Sequence, residues 1–138
     1  MQMCDLIASR STCNRKLVGT VIVKNNRIIT TGYNGSLPGL EHCDSIGHDM
    51  ENNSCQRTVH SEVNAIAQAA RLGISTENAT LYCNTKPCYS CLKIIISAGI
   101  TKVIYRDEYK PGQFNRIEKI AEEISGFTLQ RFGDSSRQ

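Results

Sequence analysis

A chain of 138 residues with 40% apolar content can fill one core and leaves no room for a second, so residues 1–138 are expected to form a single domain. The net charge of +3 is spread along the chain, aromatics make up only 6% and tryptophan is absent, which argues against a nucleic-acid arm or a stacking platform for single strands. With no apolar run of roughly 18 residues and no basic-then-apolar leader, no membrane partner is expected and the protein is read as soluble and cytoplasmic.

In chain order, residues 3–12 read as a short helix with Leu6 and Ile7 facing the core and Cys13 just beyond its end. Residues 17–24 and 27–33 are apolar, β-branched runs around Asn25-Asn26. Asparagine tolerates the positive φ of a two-residue turn, so these runs predict a hairpin. Residues 34–57 have little periodicity and hold Gly35, Pro38, Gly39 and Gly47; a loop that long in so small a domain needs something to order it.

Val63, Ile66, Ala67 and Ala70 recur at helical spacing over 58–72, with Gly73 as the stop. Residues 79–83 predict a strand, and Pro87 suits the first turn of a helix running through Ile94, Ile95 and Ala98 to Gly99. A strand over 101–105, a helix with an Ile117, Ile120, Ala121 and Ile124 stripe, and a strand over 127–131 complete the chain. An antiparallel pair followed by alternating helices and strands predicts an α/β fold, a three-layer α/β/α sandwich around a mixed five-stranded sheet.

The chemistry concentrates in His60-Ser61-Glu62 and Pro87-Cys88-Tyr89-Ser90-Cys91. One imidazole and two thiolates make a three-ligand zinc site that keeps its fourth position for water, and Glu62 lies two residues from the histidine without being needed as a ligand. Cys88 and Cys91, three apart, share a helix side, and thiolates at a helix N-terminus are favoured by its unpaired N–H groups. A lone Cys-x-x-Cys could be redox-active and a lone His-x-Glu an ordinary helix start; together they match the ligand pattern of zinc nucleobase deaminases.

On these residues the chain resembles the cytidine and deoxycytidylate deaminase superfamily. Gly32-Tyr33-Asn34-Gly35-Ser36, the cysteine-bearing insert over 42–57, His60 through Ile66 and Gly99 through Tyr105 make it similar to the deoxycytidylate (dCMP) deaminase family in particular. The resemblance covers most of residues 11–109. It implies zinc-dependent hydrolysis of dCMP to dUMP and ammonia, with Glu62 as proton shuttle and His60, Cys88 and Cys91 on the catalytic zinc. Asn34 is then assigned to the deoxyribose, while Ser36 and Tyr109 are assigned to substrate with plain loop surface as the equal alternative. Tyr33, Gly35 and Arg71 are assigned to an effector nucleotide, although an exposed Arg71 making a surface ion pair competes. The resemblance further implies a homohexamer supplying dUMP for dTTP synthesis, activated by dCTP and inhibited by dTTP, with Mg2+ accompanying the triphosphate. Ser61 departs from the alanine common in the family motif, and Lys86 stands where a small polar or acidic residue is usual. The latter could turn preference toward a more highly phosphorylated nucleotide such as dCTP.

Seven cysteines, an odd number in a chain without a secretion signal, favour metal ligation over a disulfide framework. Cys13, Cys43, His48 and Cys55, with His42 as a competing histidine, remain for a second, closed zinc that would order the long loop. Cys4 is expected to be unliganded and Cys83 to pack near the catalytic site. The phosphate cation is left open among Arg27, Arg57, Lys86, Lys93 and Lys110. A polynucleotide deaminase acting on tRNA adenosine or on cytosine, and a zinc-stabilised module without catalysis, are the competing functions; the first calls for a basic groove with aromatics, and the second has no use for Glu62.

Overall fold

The computed structural model describes residues 1–109 and 114–134. Its elements run α1 (Gln2–Ala8), β1 (Gly19–Lys24), β2 (Arg27–Tyr33), β3 (Gly35–Ser36), α2 (Cys43–Ile46), β4 (Met50–Glu51), β5 (Ser54–Cys55) and β6 (Thr58–Val59). They continue with α3 (Ser61–Leu72), β7 (Thr80–Thr85), α4 (Tyr89–Ser97), β8 (Lys102–Asp107), α5 (Phe114–Glu123) and β9 (Thr128–Arg131). Five strands form the central sheet in the order β2-β1-β7-β8-β9. β1 is antiparallel to β2 and β7, and β7, β8 and β9 are mutually parallel. This is the mixed sheet that the element order predicts.

The hairpin forms as the asparagine pair dictates: Asn25 and Asn26 both take positive φ, 51° and 60°, and the strands resume directly with Lys24 opposite Arg27. The two faces of β1 and β2 then receive different helices. Thr20 and Gly32 pair across the strands on one face, and a Cβ at Gly32 would run into the Ser61 carbonyl and lie 2.5 Å from the Ala65 nitrogen of α3. Gly19 faces the other way, where an added Cβ would meet the Cys4 carbonyl and lie 2.6 Å from the Ala8 nitrogen of α1. Helix α1 thus covers one face; α3, α4 and α5 contact one another in succession on the opposite face. The core between sheet and α3/α4 comprises Ile22, Leu81, Cys83, Val103, Ala65, Cys91 and Ile95.

This close seating corrects three expectations about which residues face inward. In α1, which ends at Ala8, Cys4 and Ala8 are buried while Leu6 is 63% exposed, because the backbone approach at Gly19 admits only small side chains. In α3 the buried face is Ser61, Glu62, Ala65 and Ala69, with Val63 and Ile66 half-buried and Ala67 and Ala70 exposed. In α4, Leu92 and Ile95 are buried and Ile94 is exposed. Pro87 also stands one residue before the N-cap, Cys88, and not in the first turn. Residues 34–57, expected as a loop, and the two residues that follow hold two short antiparallel strand pairs, β3 with β6 and β4 with β5 around Asn52-Asn53, and the one-turn α2.

Because the obstacles at Gly32 are backbone atoms, Gly32→Ala must push α3 off the sheet. The expected cost is about 3 kcal/mol or more, measured by urea denaturation.

Candidate metal and catalytic site

The site is built where the chain leaves β7 and enters α4, facing the start of α3. His60 is the N-cap of α3 and Cys88 the N-cap of α4, both with extended backbone, so each side chain projects from a helix mouth. The Cys88 Sγ accepts the Cys91 backbone N–H at 3.5 Å. His60 Nδ1 lies 3.6 Å from Cys88 Sγ and 3.3 Å from Cys91 Sγ. Ligand atoms placed 2.0–2.3 Å from one tetrahedral ion sit roughly 3.3–3.8 Å apart, so the three residues fit a zinc ion without rearrangement. The Cys88 thiol is held well below its ordinary value, first by the Cys91 thiol and then, against burial, by His60 and the Cys91 N–H. This is the deprotonated form that metal binding requires.

Glu62 is buried in the first turn of α3, and burial pushes its carboxyl above the usual range. Ser61 Oγ donates to Glu62 Oε2 at 3.1 Å and accepts from Thr20 Oγ1 at 2.8 Å, and the Thr20 oxygen lies 3.4 Å from Cys83 Sγ. The hydroxyl at Ser61 is therefore wired between the sheet and the carboxylate.

A cavity of about 290 Å³ opens onto these groups, lined by His60, Ser61, Glu62 and Cys88 and also by Arg15, Lys16, Asn53, Ser54 and Tyr109. Its wall is shared with a second cluster. The ligand atoms of Cys13, Cys43, His48 and Cys55 all lie within 4.8 Å of one another, with Cys13 Sγ 3.6 Å from His48 Nδ1 and Cys43 Sγ 3.6 Å from Cys55 Sγ. Four sulfur and nitrogen donors suit a closed structural zinc. Of the two competing histidines the cluster takes His48, while His42 caps α2 and is exposed. Cys4 and Cys83 belong to neither cluster.

The remaining expected residues fall in distinct places. Asn34 lines the cavity, yet its side chain is spent on the preceding segment: Oδ1 accepts from Val18 N and Ser11 Oγ, each at 2.8 Å, and Nδ2 donates to the Lys16 carbonyl at 2.7 Å. Ser36 pairs with Thr58 beside the cavity, and its buried Oγ has no hydrogen-bond partner among the described residues. Gly35 packs on Thr12 and Tyr33; Tyr33 is exposed, and Asn64 Nδ2 donates to its carbonyl at 2.7 Å. Arg71 is exposed in the last turn of α3, about 15 Å along the helix from the catalytic end.

Of the proposed cations, Arg27 and Lys93 lie outside the cavity lining, Arg57 donates to the Glu41 carbonyl at 2.9 Å, and Lys110 is outside the described residues. Lys86 lines the cavity, but its ammonium is engaged by Glu108 and Glu118. Arg15 and Lys16, absent from the cations that the sequence singles out, also line the cavity. A dibasic step two residues after a ligand cysteine is the signal that could have found them.

A model of the "cytidine and deoxycytidylate deaminase zinc-binding region" matches residues 1–107. The chain belongs to the cytidine and deoxycytidylate deaminase zinc-binding family. The chain is similar to the ComE operon protein 2 of Bacillus subtilis (strain 168), 46% identical over 110 residues, covering 80% of this chain and 58% of the relative. The deoxycytidylate deaminase of Saccharomyces cerevisiae is 40% identical over 116 residues, covering 80% of this chain and 37% of its own length. The match thus spans less than two thirds of the length of either relative. Among solved structures, a dCMP deaminase from cyanophage S-TIM5 in complex with dCMP and dUMP superposes with a TM-score of 0.78 at 28% identity, covering 94% of this chain and 91% of that one.

Asn34→Ala strands the Val18 N–H and the Lys16 carbonyl at once, while the Ser11 hydroxyl keeps the Asn34 backbone carbonyl. A loss of about 1–3 kcal/mol is expected in thermal or urea unfolding.

Proposed function

We propose that the protein hydrolyses the exocyclic amine of dCMP, with water as co-substrate, giving dUMP and ammonia and so supplying dUMP for dTTP synthesis. The observation that carries this reading is the buried Glu62 carboxyl beside the His60, Cys88 and Cys91 donors, inside one cavity of about 290 Å³. The S-TIM5 enzyme, whose fold this chain shares, was captured with both dCMP and dUMP. Zinc bound to these three ligands would supply a water whose pKa is lowered to about 7. Glu62 then accepts a proton from the attacking water, delivers it to ring N3, and later returns a proton to the departing ammonia. Its elevated pKa suits a group that must carry a proton for part of the cycle.

Arg15 and Lys16, which line the same cavity as Glu62, supply the positive charge that distinguishes a nucleotide from a free nucleoside. Arg15 Nη1 is braced by the Asn53 carbonyl at 3.3 Å. Tyr109 and Ser36 keep their substrate assignment, Tyr109 from the cavity wall and Ser36 from the adjoining β3. Asn34 acts by holding the Lys16 segment as well as by lining the deoxyribose end. The second cluster takes a structural zinc. Tyr33 and Arg71, exposed outside the cavity lining, and Gly35, packed against Tyr33, are the effector residues of a homohexamer regulated by dCTP with Mg2+ and by dTTP. Seven unpaired cysteines fit a reducing, cytoplasmic setting, and among the described residues no helix is long and apolar enough to cross a membrane.

Glu62→Gln should keep its zinc and lose activity on dCMP by a factor on the order of 100 to 10,000, and undiminished turnover would refute the shuttle. Arg15→Ala should raise KM for dCMP about tenfold or more and narrow the preference for dCMP over deoxycytidine, read from parallel kinetics on the two substrates. Metal analysis should find two zinc ions per chain in the native protein and one in Cys55→Ser, with a lower unfolding temperature in the variant.

A further inference from the structure

Lys86 is out of place for its chemistry. It is 3% exposed, it precedes the Pro87-Cys88 motif directly, and it stands where the family resemblance calls for a small polar or acidic residue. A buried ammonium persists only when it is paired. Here it reaches the Glu118 carboxylate on α5, lies 3.3 Å from Glu108 Oε2, and sits over the Tyr105 ring at 5.2 Å from its centroid. The backbone sets up this meeting. Thr85 pairs with Asp107 in the parallel ladder, and the Lys86 N–H donates to the Asp107 carbonyl at 2.7 Å, so Lys86 emerges beside Glu108. Tyr105 Oη also donates to Glu108 Oε1, at 2.9 Å, and the Glu108 carboxylate is thereby fixed from two sides.

The next residue is Tyr109. Its ring forms part of the cavity wall and faces the Lys16 ammonium at 5.2 Å. Where Glu108 is held, Tyr109 is held, and a flat ring at the wall of a cavity is a natural surface for a pyrimidine.

We propose that Lys86 is a positioning residue for substrate binding: clasped between Glu108 and Glu118, it fixes the Glu108–Tyr109 step so that the Tyr109 ring stands ready against the incoming pyrimidine. The proposal rests on the deaminase reading above and deepens it, because it assigns part of the affinity for the base to a residue with no part in the proton transfers. It also gives the lysine a use inside the protein and not on a substrate phosphate.

The test compares Lys86→Met, Lys86→Arg and Glu118→Gln in the full chain. Three quantities are read: steady-state kinetics on dCMP, the Kd for dUMP, and amide hydrogen exchange of a peptide covering residues 105–109. Lys86→Met should raise both KM and the dUMP Kd about tenfold, leave kcat within about twofold, keep the bound zinc, and speed exchange over 105–109. Lys86→Arg should recover most of the affinity, and Glu118→Gln should show a smaller effect in the same direction. A Lys86→Met protein that is merely less stable, with KM, Kd and exchange unchanged, overturns the proposal. If Lys86→Met does not fold, Glu118→Gln decides by the same readings, since it removes one arm of the clasp while conserving shape. Failure of the deaminase reading looks different: the native protein itself would then not turn over dCMP, while exchange over 105–109 would still report on the clasp.

Discussion

The seating of α3 on the first hairpin is the constraint on which the rest depends. Without a Cβ at Gly32, the backbone of α3 comes down onto β2 at Ser61 and Ala65, and the small Ser61, Ala65 and Ala69 face completes the contact. That approach buries Glu62 and places His60, at the mouth of the helix, within 3.6 Å of the thiols on α4. The parallel β7–α4–β8 unit contributes the other half, since its crossover starts α4 at the carboxyl end of β7, where open α/β sheets present ligands. Neither helix mouth would be a metal site alone. A glycine in the Gly-Tyr-Asn-Gly stretch thus assembles the His60, Glu62 and thiol site through packing.

The second cluster does for the long insert what hydrophobic burial cannot. Leu37, Leu40, Ile46 and Met50 are all about half exposed, and the buried residues of this region are essentially Cys13, Cys43 and Cys55. A polar, glycine-containing segment recovers little of its ordering entropy from such packing. An ion on these four donors would join the segment to the stretch after α1, where Arg15, two residues beyond Cys13, donates to the Asn53 carbonyl. The wall of the cavity is partly made of this cluster, through Cys13 and Cys55.

Much of this was legible in the sequence where a local rule acts. Asn25-Asn26 announces its turn, Gly73 its left-handed helix cap, and the His-x-Glu and Cys-x-x-Cys pair its three donors, because φ preferences and ligand chemistry belong to single residues. The four donors of the second cluster could be gathered by elimination, although only the fold chooses His48 over His42. The helix faces were misjudged where alanine carries the pattern: Ala67 and Ala70 match the spacing yet are exposed, while Leu6 faces solvent because a glycine-lined contact has no space for it. The strands of two residues over 35–59 leave no periodicity to detect. Arg15, Lys16 and the Lys86 clasp depend on long-range chain paths, and a local reading has no access to those.

The central claim is that one pyrimidine nucleotide, held by charge at one end and met by Glu62 at the other, is the compound this cavity hydrolyses. Ammonia release from dCMP, dCTP, deoxycytidine and adenosine-containing RNA, measured side by side with zinc-replete protein, tests it most directly. The account predicts fastest turnover on dCMP, weak turnover on the nucleoside and none on the RNA. Background release from dCMP, or preferential release from the RNA, would contradict it.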